Sequence, residues 1–525
     1  MRKDELLSEN SSFLISHSSL KRLALAAGLL VTAVRLALIG KGTMAFIDEQ
    51  RYVTAMLGLR ALGQGHGLEF LQAINSMGAR PGDGLWRVFS GLGQAALLFA
   101  CGLNPNAPPS LQVPQAFNVL VMALNAGLLY KIYRQWFSAG LAAVGVALYA
   151  SLVNTNLYLR HLLPYDHSLF FFLLALWLLL TSAPRARLRR AGIVGVLSGL
   201  SVAVYPGYFM GAALLLVASF LRSPGTSGGA KPSGFVNGFG TVTAQLAALV
   251  GTLGLFEALA QVADTSYLAS SRYIATTVTQ GDFREGFSFI GTYFWEVEGV
   301  LGIALLLLFG AGWGLSLRLR PPVGFGHLSV FGLLSASFLV WLGYAVAVYF
   351  GHALVFYGRI LHFFVPFVVL GSLVALQWLG DMTPSPRYVW VGCAAVASMH
   401  FTAFVLNYQA VDYPADVAYA HGIWDKRQAT GYTITACEPR VMFYRLFGPR
   451  IRNQPTAATP RYELVNFAYL YPINGYQAPT LDARRVLISV PYFMKYAPYQ
   501  FEGHNPRERA LLQTNPFAFQ IIEAY

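Results

Sequence analysis

The sequence predicts an all-α polytopic membrane bundle of about eleven helices, followed by a small water-exposed α/β domain. Three observations predict it. Of 525 residues, 55% are hydrophobic and 12% charged, an apolar surplus that a soluble core does not absorb and a bilayer does. Nearly uncharged stretches of roughly 18 or more residues recur through most of the chain, each long enough to cross ~30 Å of hydrocarbon as a helix. After Asn407 these stretches cease, and Asp, Glu, Lys, Arg, Pro and Asn rise. The alternating apolar and polar pattern of a barrel strand is absent. The runs are rich in Leu, Ala, Gly and Phe, so the closed hydrogen bonding that lipid demands is helical.

The predicted spans are Leu23–Gly40, Pro114–Tyr133, Ala139–Leu157, Ser168–Thr181, Gly192–Tyr205, Tyr208–Leu221, Gly240–Ala258, Val300–Leu317, Leu328–Phe350, Ile360–Leu379 and Tyr388–Asn407. Charge sets their orientation. With a cytoplasmic N-terminus, the inner segments carry Arg2, Lys3, Lys21, Arg22, Lys131, Arg134, Arg185, Arg187, Arg189, Arg190, Arg222, Lys231, Arg318, Arg320 and Arg387, whereas the outer loops after the first hold only Arg160, Arg272, Arg284 and Arg359. The formal charge of +13 is therefore read as topology, and nucleic acid is not an expected partner. The first apolar run follows polar residues and lacks a small-residue cleavage site, so it reads as a signal anchor, with Arg35 snorkelling to the interface. The three cysteines show no metal-type spacing; Cys101 and Cys437 fall on one predicted side, where a bridge is an option, and Cys393 lies within a span.

Residues 1–407 thus form the membrane module, with a long first outer loop at 41–113, and residues 408–525 form a separate extracytoplasmic domain. Such a long loop carries its own structure; Val53–Leu62 and Leu85–Phe99 read as helices lying on the membrane surface. Leu85–Cys101 is interrupted by Arg87 and Gln94, and counting it as a crossing would place Arg185–Arg190 outside. Ser223–Gly234 has linker composition and divides six spans from five. A second outer loop runs from Leu259 to Val297, with Arg272, Asp282, Arg284, Glu285, Glu296 and Glu298 in or beside it. In the C-terminal part, Arg485–Tyr492 and Phe519–Glu523 read as strands and Pro506–Leu512 as a helix.

Three outer clusters carry chemistry. Phe46–Tyr52, FIDEQRY, sets Asp48 and Glu49 side by side at the membrane surface, where a carboxylate serves as general base or binds a cation; equally, acidic residues favour the first turn of a solvated helix. Arg160–His167, RHLLPYDH, joins Asp166, His161 and His167 to an arginine, or simply ends one helix at Pro164 and starts another. Tyr357–Pro366, YGRILHFFVP, puts Arg359 and His362 three apart on one helical face, suited to an anionic headgroup, although Arg also snorkels at span ends. Arg272 and Arg284 are further phosphate candidates. Tyr205–Tyr208, YPGY, reads as a tight turn. The charge rule puts the three clusters on one face, where they can share one cavity.

This arrangement resembles the GT-C superfamily of membrane glycosyltransferases, especially the aminoarabinose transferases of lipid A and the protein O-mannosyltransferases. Asp48, Glu49, Arg51 and Tyr52 carry the resemblance: the family places an acidic pair, commonly D-E-x-x-Y, at the start of a long first outer loop with two surface helices. Asp166 matches a second acidic residue in the next outer loop, and YGRILHFFVP is similar to the start of the family's late helices. The K-P-P-like element of many relatives has its nearest match in Arg80, Pro81 and Gly82. The resemblance implies inverting transfer of a sugar from a polyprenyl-phosphate donor to an acceptor lipid, glycan or protein, at the outer face of a bacterial-type inner or plasma membrane. It makes Asp48 the base, with Glu49 and Asp166 orienting the acceptor or holding a divalent cation, Mg or Mn. Arg51, Tyr52, Arg80, Arg160, His161, His167, Arg272, Arg359 and His362 are the substrate-binding candidates. Three other readings compete: a transporter or flippase for lipid-linked sugars, a polysaccharide polymerase or ligase, and a non-catalytic assembly subunit with the C-terminal domain as its partner surface.

Overall fold

The structure is a computed structural model that describes residues 17–39, 49–101, 108–159, 161–181, 187–222, 234–279, 289–317, 328–351 and 358–407, together with 433–434, 461–466, 486–492 and 517–524. Asp48, Arg160, Asp282, Arg284, Glu285, Cys437, the linker 223–233 and the predicted helix Pro506–Leu512 lie outside the described residues, as do the side chains of Cys101 and Arg359.

The helices are α1 (His17–Leu38), α2 (Gln50–Gly63), α3 (Gly67–Ala79), α4 (Pro81–Cys101), α5 (Pro108–Tyr133), α6 (Ala139–Ser151), α7 (Val153–Asn156), α8 (Tyr165–Thr181), α9 (Arg187–Val204), α10 (Phe209–Leu221), α11 (Gly234–Gln261), α12 (Tyr267–Thr279), α13 (Phe289–Ser316), α14 (Val330–Tyr349), α15 (Gly358–Met382) and α16 (Pro386–Leu406). Each predicted span overlaps a helix, and Ala139–Leu157 overlaps two. Among the described residues α5, α11, α13, α14, α15 and α16 contain stretches long and apolar enough to cross a membrane, so the protein is an integral membrane protein built as an all-α bundle. The apolar parts of α1, α6, α8 and α10 are shorter, and α9 opens on Arg187, Arg189 and Arg190.

Helix α15 is the centre of the bundle. Its membrane-length window, Ile360–Asp381, is 89% buried, against 11% for Pro386–Leu406 in α16, and a helix apolar on all sides is one surrounded by others. Phe363 and Phe367 of α15 pack on Phe172 of α8 at 4.7 and 6.0 Å between ring centroids. Lipid tails are as apolar as leucine, so helices join in a bilayer by close packing, which small residues permit. A Cβ on Gly312 of α13 would run into the carbonyl of Gly371 in α15. Gly312→Leu is therefore expected to lose about 1–3 kcal/mol or more of stability, read as a lower thermal midpoint in detergent.

Three predictions about the helices are corrected. The predicted single helix Ala139–Leu157 is broken at Leu152, which is extended (φ −65, ψ 143) between α6 and α7. Arg35 does not snorkel: it is buried, and donates from Nε to Asn156 Oδ1 at 2.8 Å and from Nη2 to the Ala150 carbonyl at 3.1 Å. The physical reason lies in the break, which frees carbonyls at the end of α6 that a cation satisfies. The stretch Leu259–Val297 is not one loop, because it contains α12 and the first turns of α13. Glu298 consequently sits inside α13, next to a kink at Gly299 (φ 60, ψ −141), a backbone conformation open to glycine.

Among the described residues between α1 and α5 there are three helices rather than the two expected, since Gly67–Ala79 also folds as α3. Arg87 and Gln94 of α4, polar interruptions in the sequence, are buried. Pro206–Tyr208 forms the expected turn, a single 3-10 turn between α9 and α10.

Strands β1 (Thr433–Ile434), β2 (Arg461–Asn466), β3 (Val486–Tyr492) and β4 (Phe517–Ala524) make one sheet in the order β1-β2-β4-β3. β1 runs parallel to β2, and β4 pairs antiparallel with both β2 and β3. β3 and β4 correspond to the two predicted strands.

Candidate functional site

The site is assembled around the turn between α7 and α8. Pro164 ends the preceding chain and Tyr165 opens α8, with the Ser168 N–H on the Pro164 carbonyl at 2.9 Å. Two asparagines of α5, seven residues apart and so on one face, fasten this turn. Asn118 Nδ2 donates to the His161 carbonyl at 2.9 Å, and Asn125 Nδ2 to the Asp166 carbonyl at 2.9 Å and to its carboxylate at 3.4 Å.

Glu49, in the first loop, does not behave as a solvated helix start. It is fully buried and makes no side-chain hydrogen bond to the start of α2. Its carboxylate crosses to the turn instead: Oε1 accepts the Leu162 N–H at 2.7 Å, and Oε2 lies 3.3 Å from His161 Nδ1. Arg87 takes the carbonyl of the same residue, donating to Leu162 O, while its Nε donates to Asp83 at 2.7 Å. Asp83, 1% exposed, also meets Arg51 Nη1 at 3.4 Å. The buried Asp83 carboxylate is thus met by two guanidiniums, Arg87 and Arg51, which compensates a charge that would be costly alone.

Five residues beyond His161, Asp166 reaches α15. Its Oδ1 lies 3.4 Å from His362 Nε2, with His362 fully buried and the Asp166 side chain 10% exposed. His362 Nδ1 is 2.9 Å from Asn154 Oδ1 of α7. The second acidic residue is therefore tied to the predicted late-helix histidine, and the first-loop carboxylate to the predicted turn histidine.

The remaining predicted residues divide. Tyr52 is buried and donates its hydroxyl to Gln94 of α4; burial pushes the phenol up, so it keeps its proton at neutral pH. His167 is a core residue, with its ring 5.1 Å from Trp86 and 5.8 Å from Phe117. Arg80 stands at the junction of α3 and α4, close enough to Tyr267 of α12 to oppose the burial that pushes that phenol up to about 12. Arg272 is exposed on α12.

Several polar residues at the centre were not singled out in the sequence. Glu298 of α13 is buried and accepts the N–H groups of Val153 and Asn154, at 2.8 and 2.7 Å, and His400 Nε2 lies 2.9 Å from it. Asn154 Nδ2 donates to the Tyr293 hydroxyl at 2.6 Å. A signal was present: polar and ionisable residues within apolar runs mark internal or functional positions, and the ionisable Glu298 and His400 and the polar run Asn154, Thr155, Asn156 are such residues. Among the described residues no three of His, Cys, Asp and Glu gather as a metal site. The oxygens of Glu49 and Asp166 are directed to different partners.

No family model matches this sequence, and no curated protein matches it. Among solved structures, the chain is similar to the oligosaccharyltransferase of Archaeoglobus fulgidus in complex with zinc and sulfate, at 14% identity and a TM-score of 0.38, over 70% of this chain and 52% of that one. The chain spans about half the length of that protein.

Proposed function

We propose that the protein is an inverting glycosyltransferase that moves a sugar from a polyprenyl-phosphate carrier to an acceptor at the outer membrane face. One observation carries this reading. A carboxylate of the first loop, Glu49, is seated on His161 and Leu162 of the turn that presents Asp166 to His362. Glu49, the turn and the late helix thus meet, which supports a single site built from the three clusters. The reading includes the sequence-derived topology: eleven crossings, a cytoplasmic N-terminus, the first loop at 41–113 and an extracytoplasmic domain at 408–525.

In this mechanism Asp48 takes the proton of the acceptor hydroxyl. The oxygen attacks the anomeric carbon from the face opposite the leaving group, and the bond from that carbon to the phosphate oxygen breaks. The lipid phosphate departs with the electron pair, and its charge is met by Arg51 and the basic residues of the turn and of α15. Asp166, paired with His362, orients the acceptor. A divalent cation, Mg or Mn, has no ligand set among the described residues, and no step is assigned to it.

A flippase for lipid-linked sugars is the second reading, favoured by the break at Leu152 and the kink at Gly299, because transporters use discontinuous helices. One assay separates the two. Purified protein is incubated with radiolabelled polyprenyl-phosphate hexoses and a membrane-lipid or glycan acceptor fraction. Sugar appearing on the acceptor supports transfer; donor crossing a vesicle membrane with none transferred selects the flippase.

A further inference from the structure

The break between α6 and α7 leads to a line of buried polar groups that ends at Asp166. Leu152 interrupts the helix and leaves the N–H groups of Val153 and Asn154 without helical acceptors. The Glu298 carboxylate takes both, which fixes the backbone of Asn154. The side chain of Asn154 is fixed as well, because its Nδ2 donates to the Tyr293 hydroxyl and its Oδ1 stands 2.9 Å from His362 Nδ1. With the amide so placed, Nδ1 carries hydrogen, and Nε2 is the atom 3.4 Å from the Asp166 carboxylate. Among the described residues Nε2 has no hydrogen-bond partner despite lying fully inside the protein, so a small adjustment of Asp166 completes the pair.

We propose that Asn154, held by Glu298, is a positioning residue for the Asp166–His362 pair: it orients the imidazole so that a proton exchanged with Asp166 moves at Nε2. The inference rests on the reading of Asp166 given above, and extends it to two residues that touch no substrate. The proton balance is closed, since what leaves Nε2 arrives on the carboxylate and returns. The titratable groups around the pair come from several elements. Arg35 of α1 and Tyr149 of α6 are within electrostatic reach of Asp166; Tyr293 and Glu298 of α13 meet Asn154, and His400 of α16 meets Glu298.

The test uses Asn154→Leu, Asn154→Asp and Glu298→Gln in the full chain, with Asp166→Asn beside them, assayed across pH with radiolabelled polyprenyl-phosphate hexoses. Asn154→Leu is expected to lower kcat by about tenfold or more with KM little changed. The two Asn154 variants should displace the pH–rate profile in opposite directions. A carboxylate favours the imidazolium and moves the profile to higher pH; loss of the acceptor moves it to lower pH. Glu298→Gln, which keeps one acceptor oxygen, should fall between wild type and Asn154→Leu. Nitrogen NMR of histidine-labelled protein in detergent, with the His362 signal identified by its loss in His362→Gln, reads the same displacement without turnover. Wild-type kcat and profile in both Asn154 variants, or lower kcat with an unmoved profile and NMR signal, overturns the inference while the proposed function stands. Full activity in Asp166→Asn removes the role given to Asp166 and this inference with it, whereas the absence of any transfer by the wild-type protein removes the proposed function.

Discussion

Asp48→Asn is expected to lower sugar transfer by about 100- to 10,000-fold, the usual contribution of a general base, with the amount of folded protein unchanged. Asparagine has nearly the shape of aspartate and cannot take a proton from a hydroxyl. In sequence, Asp48 directly precedes Glu49, the residue clamped on the His161–Leu162 turn. Binding of donor, followed by protection of the purified protein against thermal unfolding, should persist in Asp48→Asn, since the substitution leaves the cationic groups in place. Full transfer in this variant would remove the proposed base.

Glu49→Ala should damage stability and activity together. The Leu162 N–H is buried and gives its hydrogen bond to Glu49, and leaving such a donor unpaired costs about 1–3 kcal/mol. His161 loses its carboxylate at the same time. Asp166 is four residues beyond Leu162 on the same turn, so loosening that turn misplaces it, and displacement by about 1 Å can cost on the order of 100-fold in rate. Glu49→Gln retains an oxygen for the Leu162 N–H and should unfold near the wild-type temperature. The comparison of the two midpoints in detergent is the check: equal midpoints for Ala and Gln would show that the clamp contributes nothing.

The spans were legible in the sequence because a bilayer imposes one rule, length and apolarity, that each apolar run obeys alone. Leu328–Phe350 matches α14, Val330–Tyr349, almost residue for residue. The site was legible as clusters for a related reason: Glu49, His161, Asp166 and His362 flank apolar runs, where charge stands out. What the sequence hid depends on partners far along the chain. The break at Leu152 carries no proline or glycine and becomes tolerable through Arg35 on one side and Glu298 on the other. Arg35 read as snorkelling because nothing near it in sequence shows the carbonyl it meets. Arg87 and Gln94 read as interruptions of a surface helix, and the buried Leu162 and Tyr52 that meet them come from other segments.

The interrupted helix also constrains how the chain is assembled. The backbone N–H groups of Val153 and Asn154 find their acceptor in Glu298, encoded some 145 positions later. During synthesis, the early segments enter the bilayer with those groups unanswered, and hydrocarbon offers them nothing. The amino-terminal half therefore waits in a provisional arrangement, shielded by water at the rim or by the insertion machinery. Completion of α13 is the event that locks it.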